Sequence, residues 1–337
     1  MNLATRMTTV CGIFAGLIPV FLIATIAWEI GGFVPILGAP VAAIIIGLGV
    51  GQVFGQRKEW YAGKVFASRT ILQASIVLLG AGMSLIEVAE IGIEGLPVMI
   101  GTLVICVAAG LFISRLLQVE RETGILVTYG TAICGASAIA TMSAVIGAAG
   151  PAIAISVTVI VLYNVLGAVL FPTIGHMMGM SQEAFGLWAG TAINDTSSVV
   201  AAATVYGVVA ASYAVVVKLT RTLALVPLAL FQTWFQNRQL PPDKRQTSVW
   251  YKLIPTFLVL FLVAVVIQSI GIIPVSWNGP IRFLAYFGIT AAMAAVGMSS
   301  SLSAILSAGW RPVALGGILW ALVATSSLVL QWLFGLL

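Results

Sequence analysis

Three charged side chains, Asp195, Lys218 and Arg221, lie well inside long apolar runs of this 337-residue sequence. Asp195 stands thirteen residues before Val208, Lys218 ten residues after it and Arg221 thirteen after it. If a hairpin of two membrane-spanning helices turns near Val208, a rise of about 1.5 Å per residue places all three roughly 15–20 Å deep, at the bilayer midplane. Lys218 and Arg221, three apart, share one helix face. Each such charge costs roughly 2.5–3.5 kcal/mol to insert, so Asp195 is expected to neutralise one cation. The formal +1 that remains suits an anion and repels a cation. A purely structural ion pair, with the other cation reaching toward the interface, is the competing reading.

The neighbours of these charges are small and polar. Asn194, Thr196, Ser197 and Ser198 surround Asp195 with an amide and hydroxyls, suited to an oxyanion or, through oxygen ligands, to Na⁺. Cys134, Gly135 and Ser137 interrupt another apolar run, where a broken helix would free N–H groups for an oxyanion. Ser299 and Ser300 follow Gly297 in the same manner, with Ser301 next in line. Together these residues are the expected substrate site, with Asp195 as the group that exchanges H⁺ or Na⁺.

Enzyme chemistry finds no support in the same residues. The one histidine, His176, is expected at the cytoplasmic end of its span, about 15 Å or more in depth from Ser137. Asp195 has no carboxylate partner at its depth, and no G-x-x-x-x-G-K nucleotide loop is present. No metal-binding spacing occurs, and the three cysteines (Cys11, Cys106, Cys134) all fall in apolar runs, which argues against a structural disulfide. The expectation is a protein with no catalytic activity and no cofactor beyond a coupling ion.

The elements that must position these groups follow from composition. Hydrophobic residues make up 61% of the chain and charged residues 7%, against roughly 25% charged in soluble domains; mean hydropathy is +1.13. The sequence therefore specifies an all-α integral membrane protein of one multi-spanning domain, not a soluble, disordered or nucleic-acid-binding chain. Runs of about 20 apolar residues predict about eleven transmembrane helices, near 10–28, 33–54, 66–86, 96–117, 124–147, 152–174, 184–206, 208–232, 252–270, 283–306 and 312–334. Strands of a β-barrel would alternate over about ten residues instead.

Alternate loops collect the basic residues: Arg6; Arg57, Lys58 and Lys64; Arg115 and Arg121; Arg238, Lys244, Arg245 and Lys252; Arg311. The others carry Glu29, Glu87, Glu90 and Glu94, with Arg282 near a span start. The positive-inside rule then predicts a cytoplasmic N-terminus, an outside C-terminus and a cytoplasmic linker over 237–248. Two internal similarities suggest repeats. Gly82-Met83-Ser84 precedes Pro97 as Gly297-Met298-Ser299 precedes Pro312, seven spans apart and so in inverted orientation. Gly130 to Ser137 also matches Gly190 to Ser197, in two spans expected to run the same way.

Cys134 to Ile139, Val199 to Ala202 after a polar cluster, and Lys218-Leu219-Thr220-Arg221 with Pro227 together resemble the YeiH-like bacterial membrane proteins, a family with a sulfate-exporter label. The resemblance covers most of the chain and extends to bile-acid and arsenite-type transporters. It implies inverted-topology repeats of five helices whose broken helices cross near Gly135 and Gly297, five spans apart. It also implies a small anionic substrate and a place in the bacterial plasma (inner) membrane. Many relatives carry a His-Glu pair where this chain has Asn194-Asp195, so ion coupling can differ. The expected function is secondary active transport of sulfate or an organosulfonate outward. The alternative is an H⁺ or Na⁺ coupled antiporter that uses Asp195 and carries no sulfur anion. The lipid bilayer is the one certain partner, nucleic acid is not one, and a homo-oligomer stays open.

Overall fold

The computed structural model describes residues 3–33, 38–55, 57–238, 255–300 and 302–337, and these residues contain helices and no strands. In chain order they are α1 (Leu3–Phe33), α2 (Gly38–Phe54), α3 (Lys58–Phe66), α4 (Leu72–Gly80), α5 (Leu85–Leu116), α6 (Arg121–Ala132), α7 (Ala136–Ile146) and α8 (Gly150–Met177). Then come α9 (Gln182–Ala192), α10 (Thr196–Tyr206), α11 (Val208–Leu223), α12 (Leu225–Asn237), α13 (Thr256–Ser269), α14 (Asn278–Ser299), α15 (Leu302–Ser307) and α16 (Trp310–Phe334). One π-helical turn, Ala67–Ile71, joins α3 to α4. Seven of the described helical segments are long and apolar enough to cross a membrane, among them α5, α8, α14 and α16; α2, α7, α10 and α13 are shorter apolar helices. The protein is all-α and integral to the membrane. With no water to satisfy backbone groups in hydrocarbon, helices meet that demand internally.

Two of the expected spans do not cross. The Ala149 N–H, at the start of α8, donates to the Glu122 carboxylate, at the start of α6, at 2.8 Å, although 27 residues separate them. A straight helical path of that length would cover roughly 40 Å. So α6 enters, the chain breaks at Ile133–Gly135, and α7 returns to the face it came from. Gly147, in the left-handed conformation (φ 65°), ends α7 there. The second hairpin is built alike: the Val209 N–H donates to Gln182 Oε1 at 2.9 Å, and the Tyr206 hydroxyl donates to Met180 O at 2.6 Å. The mouth of α9–α10 is thereby closed on one face.

The 28-residue α8 runs from the mouth of the first hairpin to the mouth of the second, so the two insert from opposite faces. This corrects the fifth and seventh expected spans. It also moves His176, at the end of α8, to the face opposite Arg121, not the same face. The rest of the charge alternation is untouched, because two missing crossings cancel and the turns they displace carry no Lys or Arg. Arg311 still meets the end of α5, donating to Gln118 O at 3.3 Å. Of the expected linker 237–248, Asn237 ends α12 and the Arg238 guanidinium lies 3.8 Å from the Trp234 ring centroid; 239–248, with Lys244 and Arg245, and also Lys252 lie outside the described residues.

The repeats are reassigned as well. Gly82-Met83-Ser84 forms the turn before α5, where Ser84 caps the helix with Glu87, whereas Gly297-Met298-Ser299 is the last turn of α14; the two are not equivalent. Gly130–Ser137 and Gly190–Ser197 are the two hairpin tips, related by inversion. Apolar packing separates into two main clusters. One gathers the hairpins with α8 and α16, through residues such as Leu126, Ile139, Ile160, Phe185 and Leu319. The other joins α1, α2, α4, α13 and α14 to the facing sides of α10 and α11, at Val200, Val215 and Leu219. Gly47 of α2 and Gly297 of α14 let these backbones touch, since a Cβ on either would strike the other helix's main chain.

Candidate functional site at the hairpin tips

Each tip is a three-residue break whose local chemistry matches its geometry. Ile133 leaves helical space at φ −119°, ψ −88°, and Gly135 takes φ +70°, where a side chain would be strained. The Gly135 N–H donates back to Gly130 O at 2.9 Å. In the second tip Ile193 and Asp195 are extended. Asp195 is the N-cap of α10, accepting from the Ser197 N–H at 3.0 Å and from the Ser197 hydroxyl. The tips touch: a Cβ on Gly135 would lie 3.5 Å from Asp195 Cβ. Asn164, midway along α8, holds the second tip in place, its Oδ1 accepting from the Asn194 N–H at 3.1 Å and the Asp195 N–H at 3.0 Å.

Four half-helix ends meet at this depth. The C-terminal ends of α6 and α9 carry unpaired carbonyls and negative partial charge, and the N-terminal ends of α7 and α10 carry N–H groups and positive partial charge. The buried cations go to the carbonyls. Arg221 Nε donates to Ala132 O at 2.7 Å and its Nη1 to Thr191 O, while Lys218 Nζ donates to Ile193 O at 2.8 Å. The expected pairing of Asp195 with one of these cations is therefore replaced by two helix C-termini that absorb the charge. All three side chains reach the same pair of helix breaks.

Several donors and acceptors remain without partners. Asn194, 1% exposed, has neither Oδ1 nor Nδ2 hydrogen-bonded, and Arg221 Nη2 is also unpaired. Buried polar atoms of this kind are costly unless something bonds them. Gly135 caps α7 without a side chain, and Ala136 and Ser137 in its first turn are exposed. Cys134 is buried in the first tip. Thr196 is half-buried, and Ser197 and Ser198 are buried in the first turn of α10. An amide, a guanidinium nitrogen, hydroxyls and the N-terminus of α7, which no side chain caps, can bind an oxyanion. The half-buried Asp195 carboxylate can take a proton or attract a cation.

Ser299 and Ser300 are not part of this cluster. Their hydroxyls bond back to Ala295 O and Val296 O, and Ser300 O accepts from Gln52 Nε2 at 3.4 Å, at the α2–α14 contact. Ser301 lies outside the described residues. His176 meets Pro172 O at 2.9 Å through Nδ1 and packs edge-on against Tyr206, ring centroids 4.3 Å apart, at the mouth of the second hairpin and away from Ser137. Asn164 escaped the sequence reading, although a lone amide midway along an apolar 28-residue helix was a visible signal. So did the polar chain behind α9, where Thr191 and Ser327 hydroxyls lie 2.7 Å apart and Gln331 donates to Ser327 at 3.2 Å.

With this geometry in hand, comparison with known proteins adds the following. A family model described as conserved hypothetical protein 698 matches residues 15–316. A UPF0324 membrane protein of Streptococcus agalactiae is 36% identical over 328 residues, covering 95% of this chain and 97% of its own length. One from Streptococcus pneumoniae is 37% identical over 330 residues, covering 96% and 97%. A third, from Streptococcus mutans, is 36% identical over 333 residues with the same coverage.

Proposed function

The chain belongs to the conserved hypothetical protein 698 family, whose relatives bear the name UPF0324 membrane protein, and from that premise we propose that it is a secondary transporter of a small anion. Sulfate or an organosulfonate, moved outward, is the substrate that the resemblance to sulfate-exporter-labelled proteins implies, and the polar atoms at the tips are suited to an oxyanion of that class. The observation that carries this reading is the meeting of two oppositely inserted tips around unpartnered polar atoms of Asn194 and Arg221. A site reached by one hairpin from each face suits alternating access. Asn194 Nδ2, Arg221 Nη2 and the open N-terminus of α7 are the proposed oxyanion donors, with Ser137, Thr196, Ser197 and Ser198 beside them. Lys218 and the inner nitrogens of Arg221 hold the tips.

The reading includes no enzyme activity and no cofactor beyond a coupling ion. It places the protein in the bacterial plasma membrane, with the face of Arg115, Arg121 and Arg311 in the cytoplasm. The alternative, H⁺ or Na⁺ exchange at Asp195 without a sulfur anion, draws on one feature. Asp195 is half-buried at the tips, and Lys218 and Arg221 direct their hydrogen bonds to backbone carbonyls. Uptake of labelled sulfate, sulfite and taurine into proteoliposomes, with and without H⁺ and Na⁺ gradients, separates the readings. Saturable counterflow of any of the three anions supports the first. Dissipation of a cation gradient with no anion movement supports the second.

A further inference from the structure

A basic cavity lies well away from the hairpin tips, at the turn between α2 and α3. It is lined by Arg57, Lys58, Tyr61 and Lys64, has a volume of about 190 Å³ and is open on one side. We propose that this cavity holds the phosphodiester headgroup of an anionic lipid. Three cations share one small space, and Glu59, the carboxylate in the same turn, is not among the lining residues. α3 begins here with Arg57 extended and no side chain capping its first N–H groups, and Glu59 in that first turn offsets part of the positive helix end. Lys64, 2% exposed, forms a fixed wall: its Nζ reaches Met298 O at 3.5 Å in the last turn of α14.

The setting selects a lipid over a free anion. The Arg57 guanidinium lies 5.6 Å from the Phe54 ring centroid and 5.2 Å from that of Trp60, and Tyr61 is 67% exposed; such aromatic residues mark headgroup depth. Val53, Phe54 and Phe66 next to the cavity are exposed and apolar, a surface for acyl chains and of no use to inorganic phosphate. Basic pockets of this kind face the anionic leaflet. Because Gln52 and Lys64 grip the carbonyls at the end of α14, a bound headgroup would brace the place where α14 meets α2.

The test is titration of the delipidated full-length protein with phosphatidylglycerol or phosphatidylcholine, read by native mass spectrometry, with inorganic phosphate as competitor. The wild type is expected to retain phosphatidylglycerol in preference to phosphatidylcholine. The Arg57→Gln/Lys58→Gln double variant is expected to lose roughly thirty-fold in affinity, from about 1 kcal/mol per basic residue. Lys58→Gln alone, at a surface position, is expected to lose roughly fivefold on the same basis, and a melting curve for each variant confirms folding. Equal retention of the two lipids, or unchanged phosphatidylglycerol binding in the folded variants, overturns the proposal. Displacement of the lipid by millimolar inorganic phosphate identifies a free anion as the occupant and overturns the lipid assignment.

Discussion

Arg221 of α11 donates its Nε hydrogen to the carbonyl of Ala132, the last residue of α6, at 2.7 Å. The same guanidinium reaches Thr191 O of α9, so one side chain ties together two half-helices that entered from opposite faces. The planar fork of donors holds both carbonyls in a fixed geometry; an ammonium, with three freely rotating donors on a flexible stem, would fix their relative position less firmly. Buried hydrogen bonds to charged groups are worth about 1.5–3 kcal/mol each, so this clamp is a principal determinant of tip geometry.

Arg221→Gln is therefore expected to weaken anion binding and to lower the melting temperature together. Substrate-induced thermal shift measured beside the unliganded melt tests this. A folded Arg221→Gln protein with wild-type affinity would reduce Arg221 to a structural clamp.

Asn194 and Asn164 should separate function from stability. Asn194 has an unpartnered side chain, so Asn194→Ala is expected to keep or raise the melting temperature while reducing anion uptake at least tenfold, the cost of about 1.4 kcal/mol of lost oxyanion bonding. Asn164 Oδ1 serves two backbone N–H groups, so Asn164→Leu, which leaves both buried and unpaired, is expected to lower the melting temperature by an amount corresponding to about 2–4 kcal/mol. Uptake and melting of both variants, measured side by side, decide the matter; the opposite pattern would reverse the assigned roles.

Asp195→Asn tests ion coupling cleanly, because Asn caps a helix about as well as Asp. The variant is expected to melt near the wild-type temperature, to bind the anion as well or better, and to lose the pH or Na⁺ dependence of transport. An unchanged pH and Na⁺ profile in the folded variant would remove Asp195 from coupling.

The hairpins make a topological prediction. Ala148→Cys and Met178→Cys, in a background lacking the native cysteines, lie at opposite ends of α8. An impermeant maleimide added to intact cells is expected to label the cysteine at 178 and not that at 148. Labelling of 148 alone would restore the full-span reading. A reporter after Leu337 is expected outside under either arrangement, so it cannot make this distinction.

How much of this was legible in the residues depends on what each signal measures. The helical membrane class followed from 61% hydrophobic and 7% charged composition and from apolar runs of about twenty residues, because a β-barrel, the other structure that satisfies its backbone in hydrocarbon, would alternate over about ten. The common depth of Asp195, Lys218 and Arg221 followed from a rise per residue that α10 and α11 keep on either side of Gly207. The match of Gly130–Ser137 to Gly190–Ser197 marked both tips, though their inversion was hidden. Whether 24 apolar residues cross or fold back is not a property of composition: an apolar half-helix looks the same in either direction, and the turns at 147–149 and 178–181 hold no Lys or Arg to report a side. That choice was settled in three dimensions, by Glu122 meeting Ala149 and Gln182 meeting Val209. The partners of the buried cations were settled there too, since carbonyls freed by a helix break carry no mark in the sequence and exist only once the tips have formed.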